Sequence, residues 1–267
     1  ICIIFIDQIT KYFAVMKLSK TITIIPKILE LTYNTNSGSA FGILSEKSAF
    51  LIITGMIIIG ILLFEFEKIK LVKQTIKKQL IREYHFEKDG SFEGNDSFVY
   101  KDKARLITIE DRLIDADYLS KHFDPELFIF ASRHKAKSEM PSLLVHSTGN
   151  WTSDNSFGGK PKSISISCPE AIKIGYLELL KQKVQLNLSI FDVTMEVTHH
   201  GPTELDHPLI FIELGSSQQY WTHGQGALAV ARAVMKVVNE DKKFTNVIGF
   251  GGTHYCSNFN KLLESNP

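Results

Sequence analysis

Hydrophobic residues are distributed differently in the two parts of this chain. Up to about residue 64 they form long runs with few charges, whereas from Glu65 onward charged residues are frequent and the apolar runs are short. Long apolar runs are typical of membrane or core helices, and short runs between polar residues are typical of strands and amphipathic helices. The pattern therefore predicts two domains, residues 1–67 and residues 68–267.

An uncharged apolar run covers residues 48–64. As a helix it would be about 25 Å long, close to the lower limit for crossing a bilayer. A fully buried core helix is the alternative. A basic cluster follows, which favours the cytoplasmic side of a membrane. Its members are Lys68, Lys70, Lys73, Lys77, Lys78 and Arg82. We expect an α-helical membrane hairpin followed by a cytoplasmic domain.

The second domain alternates between strand and helix patterns. Short β-branched or aromatic runs predict strands. These runs are 104–109, 127–132, 143–147, 163–166, 191–198, 209–214 and 246–250. Helical patterns cover 71–84, 169–183 and 224–239, and a turn region covers 88–97. This order predicts an α/β fold with a layered mixed sheet flanked by helices, and ligands at the strand ends.

Charge and cysteine content narrow the possible functions. The net charge of +1 argues against binding nucleic acid by bulk charge alone, although a local basic patch remains possible. The cysteines Cys2, Cys168 and Cys256 have no CxxC spacing, so we expect neither a disulfide framework nor a thiolate zinc site. The chain begins at Ile1 rather than Met, which predicts a fragment.

Histidines recur where predicted strands end, in segments 132–135, 145–150, 196–203 and 249–255. His199 and His200 are adjacent, and the Gly–Pro turn after them could bring both rings to one site. Glu213 lies among apolar residues, so it needs a partner when buried, either in a salt bridge or as a carboxylate that orients a histidine or accepts a proton from water. The predicted catalytic residues are His199, His200, Glu213 and His254.

The same cluster offers an alternative role in binding zinc, although it has no HExxH spacing. The candidate metal ligands are His146, His199, His200, Glu213 and His254. Flanking loops supply candidate substrate-binding residues, for which solvated loop positions are the alternative. They are Arg133, His134, Lys135, His146, Thr148, Asn150, Thr203, Gly251, Gly252 and Thr253. Trp151 and Trp221 could stack on a base or pack beneath the sheet.

The first domain resembles the beginning of lipoprotein signal peptidase (signal peptidase II) over residues 3–66. The resemblance rests on DQxTK at residues 7–11 and NxGxAFG at residues 36–42. That family is an intramembrane aspartyl protease, and its two catalytic aspartates lie in later motifs that do not occur here. We therefore expect Asp7 and Asn34 to have at most a structural role.

The second domain resembles the archaeal-type D-aminoacyl-tRNA deacylase over about residues 71–260. The motifs are ASRHxxxxxxPSLxVHxTGN, GGKP, EVTHHGPT, FIELGSS with a following Trp, and GFGGTHY. The resemblance implies a peptidyl-tRNA hydrolase-like α/β fold, zinc dependence, and hydrolysis of the ester that joins a D-amino acid to tRNA. It fits His199 or His200 as base, Glu213 as orienting carboxylate, and amides near residues 251–253 as oxyanion donors. We expect a monomer.

The resemblance has two departures. The family opens with a strand before the helix at 71–84, and it continues beyond GGTHY. Truncation at both ends puts folding in doubt. The alternative function is therefore a catalytically inactive, membrane-tethered tRNA- or metal-binding fragment.

Overall fold

The computed structural model describes residues 2–17, 22–25, 29–31 and 48–265. The chain forms two compact units, Ile1–Phe66 and Glu67–Pro267. Helix α2 (Ser48–Tyr84) begins in the first unit and ends in the second.

The first unit contains helix α1 (Cys2–Lys17) and an antiparallel hairpin of strands β1 (Ile22–Ile25) and β2 (Leu29–Leu31). The membrane hairpin predicted for residues 1–67 is not supported, because no helix in the described part of the chain is long and apolar enough to cross a bilayer. The motif at 36–42, Asn34, and the side chains of Lys68, Lys70 and Lys73 lie outside what the structure describes.

The second unit combines strands and helices as predicted. In chain order its elements after α2 are β3 (Glu87–Phe92), β4 (Asn95–Tyr100), β5 (Ala104–Leu106), a 3₁₀ helix (Leu113–Lys121), β6 (Phe128–Lys135), β7 (Ser142–His146), β8 (Gly149–Asn150), β9 (Ser163–Ile164), α3 (Pro169–Gln185), β10 (Asp192–Met195), β11 (Leu209–Ser216), α4 (Gly224–Asn239) and α5 (Ser257–Ser265).

The main sheet has the order β10-β7-β11-β6 and is mixed. Strand β10 is parallel to β7, β11 is antiparallel to β7, and β6 is parallel to β11. A second sheet of β3, β4 and β5 is an antiparallel meander, and β8 pairs with β9. The predicted mixed α/β architecture is therefore present in this unit.

Two local predictions are wrong. Residues 88–97 are not one long turn, because β3 and β4 continue through this polar segment and are joined only by Glu93 and Gly94, both with positive φ. Residues 246–250 are not a strand: they are irregular and exposed, and Ile248 is 83% exposed. A β-branched composition favours a strand only where a partner strand supplies the hydrogen bonds.

The two faces of the main sheet have different roles, because successive side chains of a strand alternate between faces. Leu143 and Val145 of β7 and Ile210, Ile212 and Leu214 of β11 join one core with α3 and α4. On the opposite face, Phe128, Phe130, Leu209 and Phe211 pack with residues of the 3₁₀ helix. Polar side chains follow these apolar ones towards the strand ends of that opposite face.

Candidate active site

Strand alternation brings the polar residues together on the face opposite α3 and α4. On β6, Ser132 and His134 continue the series that begins with Phe128 and Phe130, and on β11 Glu213 continues the series of Leu209 and Phe211. Register pairs Glu213 with Ser132, and Phe211 with His146. The His146 ring stacks on Phe211, with centroids 5.1 Å apart. The sheet therefore fixes a His/Glu cluster where its strands end.

Three histidines of this cluster have the same hydrogen-bonding arrangement. The Nδ1 atoms of His146, His199 and His200 lie 3.0, 2.8 and 2.7 Å from the carbonyl oxygens of Ser147, Val197 and Gly201. A carbonyl oxygen only accepts, so each Nδ1 carries the proton and, in the neutral ring, each Nε2 offers a lone pair. The potential ligand atoms of the three residues lie within 4.8 Å of one another.

The adjacent rings of His199 and His200 do approach one site, with centroids 4.4 Å apart. The backbone of His200 has a φ of +46°, in the left-handed region that few residues other than glycine adopt. This turn at His200 itself, just before the predicted Gly–Pro turn, prevents the two side chains from pointing to opposite faces.

Glu213 is a buried carboxylate with several partners. One oxygen accepts a hydrogen bond from Ser132 Oγ, and the other lies 3.1 Å from His134 Nδ1 and 3.7 Å from His146 Nε2. The sequence predicts that Glu213 orients His199 or His200, whereas the structure puts it against His134 and His146.

A second buried carboxylate, Glu196, is not among the residues predicted from the sequence. It directly follows β10, and its oxygens lie 2.9 Å from His254 Nε2, 3.6 Å from His134 Nδ1 and 4.0 Å from His199 Nε2. The sequence signal that points to Glu196 is its position at the end of a strand, three residues before His199. Glu196 connects the exposed His254 to the buried part of the cluster.

The segment that carries His254 is attached to β10 by side-chain hydrogen bonds. Asn260 of α5 accepts from Met195 N at 3.0 Å and donates to Thr194 Oγ1 at 2.7 Å and to Tyr255 O at 3.1 Å. The backbone adds a bond from Val197 N to His254 O at 2.9 Å. We call this arrangement the Asn260 clasp, and it brings residue 254 to Glu196.

The environment separates the proton affinities of the cluster. Burial, with the neighbouring His146, lowers the pKa of His199 to about 3 and that of His200 to about 4. Burial alone would lower the pKa of His146, but the neighbouring Glu213 and Glu196 carboxylates and the Ser147 carbonyl together outweigh it and raise that pKa. Burial would raise the pKa of Glu213, yet His134 and His146 hold it well below its ordinary range. For Glu196, burial would again raise the pKa, but His254 and the charges of His134, His146 and His199 together lower it.

The predicted substrate-binding residues fall into three groups. Thr148, Asn150 and Thr203 are buried and hold loops: Thr148 Oγ1 donates to Pro202 O at 2.6 Å, and Thr203 Oγ1 accepts from Lys160 N at 2.8 Å. His134 and His146 belong to the buried cluster. The others are exposed: Arg133, Lys135, Gly251, Gly252 and Thr253.

Family models and relatives agree on the second unit. A D-aminoacyl-tRNA deacylase model matches residues 121–267. The chain is 36% identical over 206 residues to the D-aminoacyl-tRNA deacylase of Pyrococcus furiosus, covering 74% of each chain. It is 37% identical over 198 residues to that of Thermococcus kodakarensis, covering 71% of each. The chain belongs to the D-aminoacyl-tRNA deacylase family. The resemblance of the second domain to this family is thereby confirmed.

Other comparisons concern the fold and the first unit. A crystal structure of a conserved protein of unknown function superposes on this deacylase family member with a TM-score of 0.65 and 34% identity, covering 72% of this chain and 68% of that one. A model described as signal peptidase (SPase) II matches residues 1–82, so the predicted resemblance of the first domain also has support from a family model.

Proposed function

We propose that this chain hydrolyses the ester bond of D-aminoacyl-tRNA and releases the free D-amino acid and the tRNA. Membership of the deacylase family supports the reaction. The observation that carries its chemistry is the convergence of three imidazole groups beside two buried carboxylates in the second unit. Ester hydrolysis needs a group that accepts a proton from water and donors that stabilise the developing oxyanion.

We infer that Zn²⁺ is the cofactor and that His146, His199 and His200 hold it. The donor set fits, because zinc-binding histidines usually donate their second ring N–H to a carbonyl or carboxylate. The Nε2 atom of His146 is also buried without a hydrogen-bond partner. When bound, Zn²⁺ would polarise the ester carbonyl and lower the pKa of a water molecule. The carbonyl oxygen of Ser147, which accepts from His146 Nδ1, would keep the ring in position.

His254 is the residue that we propose to move the proton. Its Nε2 lies 2.9 Å from Glu196, so that pairing assigns the proton to Nε2 and leaves Nδ1 as the acceptor. In this scheme Nδ1 takes a proton from the attacking water and returns it to the leaving ribose oxygen of the tRNA. The backbone amides of Gly251–Thr253, on the same exposed segment, are the candidate oxyanion donors.

The test uses the full chain with D-Tyr-tRNA and L-Tyr-tRNA. We expect release of D-Tyr with little release of L-Tyr. His254→Ala should lower the rate by at least about 100-fold, since positioned acid–base groups contribute about 10²–10⁴-fold. His199→Ala should also lower the rate strongly, because it removes a proposed zinc ligand. His122→Ala is a matched control, because His122 is exposed and outside the cluster.

Each part of the proposal has its own refuting outcome. The absence of D-selective hydrolysis would overturn the function and favour a tRNA-binding protein without turnover. Metal analysis checks the cofactor separately: zinc that co-purifies with the wild type should fall in His199→Ala and remain in His122→Ala. Equal zinc in both variants would overturn the ligand assignment.

A further inference from the structure

Trp151 presents an aromatic face beside the histidine cluster. Its side chain is 62% exposed, which is unusual for a residue that is highly buried on average. Its Nε1 donates a 2.8 Å hydrogen bond to the carbonyl of Thr198, the residue directly before His199. The indole is therefore held in a defined orientation while most of it contacts solvent.

The loop that carries Trp151 is fixed to the same segment. The side chain of Asn150 donates to Gly158 O at 2.9 Å and to Lys160 O at 3.0 Å. The backbone N of Gly201 donates to Phe157 O at 3.0 Å. A Cβ at Gly201 would lie 2.3 Å from the Gly159 nitrogen, so only glycine permits this approach. The position of Trp151 relative to His199 is therefore set before substrate binds.

The surroundings suit a nucleic-acid end. Trp151, His199, His200 and His254 line the same cleft. Lys162 is exposed and adds a positive charge to this loop. Its backbone N donates to Thr152 O at 2.9 Å, which holds Lys162 close to the residue that follows Trp151. Aromatic faces combined with positive charge are the common elements of sites for unpaired nucleotides.

We propose that Trp151 stacks on an unpaired base at the 3′ end of the substrate RNA and thereby positions the adjoining ester at the histidine cluster. This inference rests on the proposed function. Trp221 is the weaker candidate, because Arg133 already covers its ring at 4.7 Å and its Nε1 donates to His134 O at 2.6 Å.

The first test is tryptophan fluorescence, because the chain has only two tryptophans. In Trp221→Phe, Trp151 is the sole tryptophan reporter. Titration with a deacylated RNA minihelix that ends in an unpaired 3′ strand should quench this emission. The same minihelix without its 3′ overhang should quench it much less. Equal quenching by both RNAs, or no quenching by either, would overturn the proposal.

The second test is kinetic. Base–aromatic stacking contributes about 1–3 kcal/mol, so Trp151→Ala should raise KM for D-Tyr-tRNA by about 5- to 150-fold, with a smaller change in kcat. Trp151→Phe should recover most of this loss. Phe157→Ala is the matched control, since Phe157 is 67% exposed on the same loop. If Trp151→Ala leaves KM unchanged, or Phe157→Ala raises it equally, the stacking role is wrong.

The two proposals fail in different ways. A wild type that does not hydrolyse D-Tyr-tRNA refutes the proposed function, whereas the fluorescence titration still tests stacking. An active wild type without 3′-end-dependent quenching refutes stacking alone.

Discussion

Replacement of Glu213 tests how the buried part of the site is held together. Its carboxylate accepts from Ser132 at one oxygen and lies 3.1 Å from His134 Nδ1 at the other. Burial would raise its pKa, but His134 and His146 together lower it, so the group is ionised at neutral pH. The site therefore contains an ionised carboxylate that depends on its hydrogen-bond donors.

Glu213→Gln should cost about 3 kcal/mol of unfolding free energy. The amide of glutamine has only one oxygen, so either Ser132 or His134 would face an N–H group and lose its acceptor. The lost hydrogen bond is one to a charged group, and such bonds contribute about 1.5–3 kcal/mol. Ser132→Ala removes one donor and should cost about 1.5–3 kcal/mol alone, but at most about 1 kcal/mol in the Glu213→Gln background. A double-mutant cycle should therefore give a coupling of about 1–2 kcal/mol.

Urea unfolding of the four proteins in EDTA measures this coupling. Fluorescence reports the second unit, because Trp151 and Trp221 both lie in it. The stabilisation by ionised Glu213 is complete above its ordinary pKa of about 4.3 and is lost as pH falls towards its lower folded pKa. The gap between wild type and Glu213→Gln should thus narrow by up to about 1 kcal/mol between pH 6 and pH 4. Additive mutations, or a gap that widens in acid, would refute the reasoning.

Three further predictions concern the same unit. In metal-free protein, His199 and His200 have depressed pKa values, so below about pH 6.5 the unfolded state binds more protons than the folded state. The free energy of unfolding should therefore fall from about pH 6.5 towards pH 4, and urea unfolding at several pH values measures this. Asn260→Ala removes the Asn260 clasp and should lower kcat about tenfold or more while the second unit stays folded, measured by D-Tyr-tRNA hydrolysis and circular dichroism. Gly215→Ala should cost about 1–3 kcal/mol in urea unfolding, because φ is +123° and a Cβ would lie 2.5 Å from the ring of Trp221.

Strand alternation explains why much of this unit could be predicted from the sequence. Short apolar runs identify β6, β7, β10 and β11 to within a few residues, and a lone carboxylate such as Glu213 among apolar neighbours must have a partner. The identity of that partner could not be predicted. It depends on the order β7-β11-β6, in which β11 lies between two strands that precede it in the sequence.

Glu196 illustrates the other limit of sequence reasoning. One position beyond β10 it reads as an ordinary polar residue at a strand end, and its significance arises only because residue 254 lies against it. That contact depends on α5 and the Asn260 clasp, in which Asn260 bonds to Thr194, a residue 66 positions earlier in the sequence. The wrong strand at 246–250 has the same origin, since residue composition describes local preference whereas strand pairing is decided by distant segments. Histidines at strand ends could therefore be found one by one, but the second carboxylate of the site required the tertiary fold.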